Sequence, residues 1–284
     1  MKIFFYNGAN NGDLFFIKEL IKITVLNNHN YDFFLAIRFS SYIFNDITSL
    51  QIIKHDSDFD NSKMWFIKDE DLYINTWCRG QFNFYDIEEF GNYFKTTINE
   101  INNNTQFKLI FPDTSKNCII PRLFNNFVLP TKYIDLVNKF DNKIFYYNVN
   151  SNSGQFINYD HDHIIEKLSQ TYKLIVAKES KIKNENIINL FDEGIIQNNN
   201  GDNLIFFAYI AGLCNTIIMK DCGSCFFSFC YENMISENKQ KIILFRQLII
   251  ANSLNKFILN NNKNLYLINL FNSNDIIDHI KNLI

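Results

Sequence analysis

A short apolar run, Lys2-Ile-Phe-Phe-Tyr6, stops at Asn7-Gly-Ala-Asn-Asn-Gly-Asp13 and is followed at once by Leu14-Phe-Phe-Ile-Lys-Glu-Leu-Ile-Lys-Ile-Thr24. In that last segment Leu14, Ile17, Leu20 and Ile21 recur at helical spacing. A strand, a Gly-bearing turn and an amphipathic helix form the opening half of a βαβ unit. That constrains the fold class more than any other feature, because such units bury both faces of a parallel sheet.

The alternation continues. Apolar runs at 33–39, 64–68 and 72–78 predict strands, and 86–102 predicts a helix with Asp86 as its cap and acids in its first turn. The stretch from Phe111 to Pro130 holds all three prolines, which fit neither a helix interior nor a central strand, so the organisation changes there. A helix is expected at 131–140. A second beginning follows, with strands at 144–150, 173–178, 186–191, 216–220, 241–245 and 264–270 and helices at 160–172 and 204–214. Two α/β domains are therefore expected, 1–140 and 141–284, with a last helix that could pack back on the first. Parallel sheets with crossover helices should build both.

Composition bounds the rest. Hydrophobic residues make up 47% and charged residues 20% of 284, a globular balance. The net charge is −3 without a basic cluster, which argues against nucleic acid as a partner. No stretch approaches the ~18 apolar residues of a membrane span. The start lacks the parts of a signal peptide, so a cytoplasmic location is expected. Asn-rich stretches such as Asn198–Asn200 read as solvated loops within an Asn-, Ile-, Lys- and Phe-rich composition.

Ligands of open α/β sheets sit beyond the carboxyl ends of the strands, and the polar loops fall there. The first holds Asn10, Asn11, Gly12 and Asp13; on spacing alone Asp13 reads as a helix cap or as a catalytic carboxylate. It is not GxGxxG, and no acid stands at the dinucleotide spacing, which speaks against NAD. The second holds Ser151, Ser153, Gly154 and Gln155, donors suited to a phosphate or sugar and equally to an ordinary loop. Lys178 and Glu179 end a strand, either as an exposed ion pair or as diphosphate and ribose contacts. Asp221, Cys222, Gly223 and Ser224 lead from a strand into a helix, an anion-binding arrangement. Cys222 and Cys225 form a CxxC without a second pair, so reduced packed thiols are expected rather than a metal site. His161 and His163, two apart on a helix, share no face. No GxSxG, Walker, HExxH or kinase motif is present.

MKIFFYNGANNGDLFFIKELIK resembles the opening of bacterial heptosyltransferases and their relatives. LIFFAYIAGLCNTIIMKDCGSCFFSF looks like their donor-site segment: helix, Ala-Gly-x-Cys, strand and Asp-x-Gly before a helix. The resemblance implies a GT-B fold, two Rossmann-like lobes with parallel sheets facing a cleft. It implies a metal-independent, inverting glycosyltransferase that needs no cofactor and takes a nucleotide-diphosphate sugar on the C-terminal lobe. A glycan or lipid-linked acceptor would bind the N-terminal lobe, with peripheral membrane contact, and Asp13 would be the catalytic carboxylate. The 151–155, 178–179 and 221–224 residues would serve the donor. Cys222 replaces the family's Thr or Ser, and its basic phosphate-binding residue is missing from 151–155. Trp77 and Arg79 could line the acceptor side or be core and surface. The alternative is a non-catalytic GT-B-like binding or scaffold protein.

Overall fold

The computed structural model describes the chain outside 9–10, 39–40, 57–58, 78–86, 112–120, 125–126, 150–158, 195–202, 221–224 and 245–263. At 11–13, 16, 41, 87–90 and 225–226 it describes the backbone alone. The chain divides into two units, Met1–Asn126 and Phe127–Ile284. The division falls upstream of the expected 140/141 boundary, so the helix after Pro130 goes with the second unit.

The first unit carries a five-stranded sheet. Strands β1 (Lys2–Asn7), β2 (Asp32–Ile37), β3 (Leu50–Lys54), β4 (Trp65–Lys68) and β5 (Asp71–Asn75) lie in the order β3-β2-β1-β5-β4. β1 pairs in parallel with both β2 and β5, and β2 with β3. Strand alternation decides what each face buries. Ile3 and Phe5 point to the inner face, where helix α1 (Asn11–Leu26) contributes Leu14, Ile17, Leu20, Ile21 and Val25. Helix α2 (Ile87–Asn104) adds Phe94, Ile98 and Ile101, and its Phe94 ring lies 6.5 Å from that of Phe5. On the other face Phe34, Phe4, Tyr73 and Phe66 stack in a row across four strands, with centroids 4.7–4.8 Å apart, the interstrand spacing itself. Lys18, 1% exposed, bonds Glu19 and Asp46 at 3.0 and 2.9 Å, and Glu19 accepts the Arg122 amide, which pins α1 to two surface segments.

Two features differ from the sequence reading. β3 was not anticipated as a strand; its edge position leaves it half-exposed, without a continuous apolar run. β4 runs antiparallel to β5, joined by Asp69 and Glu70 at φ 52° and 66°. Two positive-φ residues in a two-residue loop make the turn that suits a hairpin's twist, here without the usual Asn-Gly signal.

The second unit holds β6 (Lys143–Tyr147), β7 (Lys173–Val176), β8 (Ile187–Asn189), β9 (Thr216–Lys220), β10 (Gln240–Leu244) and β11 (Leu265–Ile268). The sheet order is β11-β10-β9-β6-β7-β8, and every pairing is parallel. All residues of the central strands β6 and β9 are buried, as a sheet covered on both faces requires. Its helices are α3 (Thr131–Val137), α4 (His161–Ser169), α5 (Asn203–Gly212), α6 (Tyr231–Met234) and α7 (Ser273–Leu283). Asp160 caps α4 by accepting the His163 amide at 3.1 Å, and Asn272 caps α7 by accepting the Asn274 amide at 2.8 Å. The last helix buries Ile276, Ile277 and Ile280 with Ile164, Ile165 and Leu168 of α4, in the core of its own unit. Among the described residues no helix is long and apolar enough to cross a membrane.

Candidate functional site

Read in chain order from β6, the second sheet runs 3-2-1-4-5-6, the order of a doubly wound dinucleotide-binding sheet. The chain leaves β6 in one direction toward β7 and returns on its other side as β9. The carboxyl ends of β6 and β9 therefore flank the switch point where such sheets take their ligands.

Tyr147 of β6 is in register with Met219 of β9, and one residue further come Asn148 and Lys220. Asn148, 8% exposed, clamps the neighbouring turn: its amide donates to the Lys178 and Glu179 carbonyls at 3.1 and 3.3 Å, and its carbonyl accepts the Lys178 amide at 2.7 Å. The anticipated pair Lys178 and Glu179 thus sits just past β7 on a fixed backbone. Ser180 donates to Asp162 at 2.7 Å, tying the same turn to the first turn of α4.

Lys220 ends β9 at 2% exposure, immediately before Asp221. His161, at the start of α4 and also buried, shares a 2.9 Å hydrogen bond through Nδ1 with the hydroxyl of Tyr146. Burial, with the Lys220 charge behind it, pushes the His161 pKa down to about 4, so the imidazole is neutral at pH 7. A cation, a neutral imidazole and a phenol are gathered at one sheet edge. Sequence reasoning passed over Lys220, whose signal was a lysine closing the apolar strand Thr-Ile-Ile-Met-Lys just before Asp221.

In the first unit the switch point lies between β1 and β5. Asn7 and Thr76 meet there, with the Asn7 amide donating to the Thr76 hydroxyl at 3.1 Å, both fully buried. The Tyr6 hydroxyl donates to the Asp60 carbonyl at 2.6 Å, and Asn75 donates to the Lys63 carbonyl at 3.0 Å, holding the 60–63 segment at this edge. Gly8 follows β1. A Cβ there would lie 3.3 Å from Nε2 of His55 and 3.6 Å from Oδ1 of Asn61, so this turn approaches its neighbours too closely for a side chain to enter freely. His55 is 5% exposed, and neither ring nitrogen has a hydrogen-bond partner among the described residues. Burial lowers its pKa and the nearby Arg38 lowers it further, against the opposing charge of Asp56.

Asn11, Gly12 and Asp13 fall in the first turn of α1, so Asp13 is at the third residue of a sixteen-residue helix. Its carboxylate, Asn10, Ser151, Ser153, Gly154, Gln155, Asp221, Cys222, Gly223, Ser224, Arg79 and the Asp86 cap lie outside the described residues or side chains. So does the CxxC. Trp77 is described and half-buried, its amide donating to the Asn75 side chain at 2.8 Å. Cys214 and Cys230 are free and buried. Among the described residues no group of three His, Cys, Asp or Glu side chains could hold a metal ion.

The chain carries two Rossmann-like α/β units, and its fold is GT-B-like. The fold is heptosyltransferase-like. A solved structure of E. coli heptosyltransferase WaaC with ADP-2-deoxy-2-fluoro heptose is similar to this chain at TM-score 0.52 and 9% sequence identity, over 99% of each chain. WaaC with ADP aligns over 100% of both chains at 10% identity and TM-score 0.49. E. coli ADP-heptose lps heptosyltransferase II aligns over 100% of this chain and 98% of its own at 10% identity and TM-score 0.47. No family model matches the chain, and no curated protein matches it in sequence.

Proposed function

We propose that this chain is a glycosyltransferase that moves a sugar from a nucleotide-diphosphate sugar to an acceptor hydroxyl, with inversion and without a metal or other cofactor. The observation that carries the reading is the edge at the switch point of the second sheet: Lys220 buried at the end of β9, level with Asn148 at the end of β6, which clamps the Lys178–Glu179 turn on its other side. A nucleoside diphosphate leaving from the anomeric carbon develops negative charge on its terminal phosphate. Lys220 supplies a fixed cation for that charge, in place of the basic residue missing from 151–155, and the start of α4 adds dipole. Ser151, Ser153, Gly154 and Gln155, with Asp221, Cys222, Gly223 and Ser224, complete the donor site in this reading, and Glu179 takes the ribose hydroxyls. On the first unit Asp13 takes the proton of the acceptor hydroxyl as that oxygen attacks the anomeric carbon and the bond to the diphosphate breaks. Asn10, Asn11 and Gly12 line the acceptor side, where a glycan or lipid-linked acceptor binds, and the protein works in the cytoplasm.

The testing experiment is a thermal-shift titration of the whole protein with ADP, UDP, GDP and their sugars. A ligand that binds only the native state raises its stability by about 2.7 kcal/mol at a hundredfold excess over Kd. A melting temperature that rises with one nucleotide diphosphate, and more with its sugar, supports the reading. A flat response across the whole panel sinks it.

A further inference from the structure

We propose that Asp162 is a positioning residue for Glu179: through the Ser180 hydroxyl it pins the far side of the turn after β7, so that the Glu179 carboxylate meets the 2′,3′-diol of the donor's ribose from a backbone that does not yield. The inference rests on the proposed donor site, and in it Asp162 itself touches no ligand.

An acid in the first turn of a helix complements the dipole, and that alone would account for the residue type at 162. The capping role is already filled, because Asp160 accepts the His163 amide. Asp162 is turned instead to another segment: its Oδ1 accepts the Ser180 hydroxyl at 2.7 Å and the Lys181 amide at 3.4 Å. Ser180 is 3% exposed, and its Oγ in turn accepts the Ile182 amide at 3.2 Å. On the near side Asn148 makes three hydrogen bonds to the backbone of Lys178 and Glu179. Residues 178–181 are therefore held from the end of β6 and from the start of α4 at once. Between the two anchors stands Glu179, whose side chain is exposed. A surface turn does not need two foreign anchors to be stable. A ligand contact gains from them, because a group already fixed in place loses little freedom on binding. Ribose presents two adjacent hydroxyl donors to one carboxylate, and such a paired contact tolerates little play.

The test compares ADP, UDP and GDP, each with its 2′-deoxy counterpart, by isothermal titration of the whole protein. The parent should bind the ribonucleotide about ten- to a hundredfold tighter, the worth of one hydrogen bond to a charged group. Glu179→Ala should bring that ratio close to one. Asp162→Ala should lower the ratio although Glu179 is intact, and Ser180→Ala should do the same. Asp162→Asn keeps an acceptor for Ser180 and Lys181, so it should keep the parent ratio. A purely structural role would weaken both nucleotides equally and leave the ratio where it was, which overturns the proposal. An equal loss in Asp162→Asn and Asp162→Ala also overturns it, by assigning the effect to the charge. If Asp162→Ala does not fold, Ser180→Ala is read in its place. A parent that binds nucleotides without preferring the ribose, or keeps the preference without Glu179, overturns this inference and leaves the donor site standing. A parent that binds none of the nucleotides overturns the donor site, and this inference with it.

Discussion

In the proposed reaction a carboxylate, Asp13, and an ammonium, Lys220, divide the chemistry between them. Asp13→Asn removes the proposed base with little change of shape. Transfer should fall by roughly two to four orders of magnitude, the range for losing a general base, while nucleotide binding and folding persist. A lower melting temperature with intact transfer would make Asp13 a helix cap instead. Lys220→Met removes the cation buried at the end of β9. Hydrogen bonds to charged groups are worth about 1.5–3 kcal/mol, so affinity for the nucleoside diphosphate should drop about ten- to a hundredfold. The same substitution takes away a charge that holds the His161 pKa down, so His161 should titrate higher than in the parent protein. Isothermal titration with ADP and a His161 NMR titration read the two effects independently.

At the scale of elements, the turn after β7 is positioned by one side chain rather than by its own sequence. Asn148 makes three hydrogen bonds to the backbone of Lys178 and Glu179 from the end of β6. Asn148→Ala removes these three hydrogen bonds and should cost about 1–3 kcal/mol, seen in urea unfolding as a lower midpoint at unchanged slope. Nucleotide affinity should fall with it, since Lys178 and Glu179 lose their fixed backbone. Helices and central strands such as α1, β6 and β9 were legible in the sequence because helical spacing and continuous apolar runs report burial directly. The half-exposed β3 was not, since an edge strand buries too little to write a pattern. The β4–β5 hairpin was missed because Asp69 and Glu70 adopt positive φ without the residues that usually announce such a turn. Of the site, the Lys178–Glu179 turn after β7 could be located from the alternation alone. The burial of Lys220 and His55 could not, because it is created by strands and loops distant in sequence.

For the molecule as a whole, acid is the condition to which the second unit's core answers. Burial, the largest cause, lowers the His161 pKa to about 4 from an unfolded value of 6.5, with Asp162 and Asp160 opposing. Below pH 6.5 the unfolded chain binds the proton first, so stability is full above that pH and is lost as pH falls toward 4. The loss should reach about 3 kcal/mol, at 1.36 kcal/mol per pKa unit. His161→Phe should flatten the urea midpoint against pH between 6.5 and 4, and an unchanged slope would assign the acid sensitivity elsewhere. The place of β1 in the first sheet has another consequence. This strand is synthesised before the others of its sheet, yet it is the sheet's centre: its partners begin thirty residues later at Asp32 and some seventy later at Leu72. At about 5–20 residues per second on the ribosome, Ile-Phe-Phe-Tyr waits roughly 4 to 14 seconds for its second neighbour. During that interval Ile-Phe-Phe-Tyr has β2 on one side and nothing on the other, so yield on expression should depend on elongation speed and on chaperone supply more than on the stability of the finished fold.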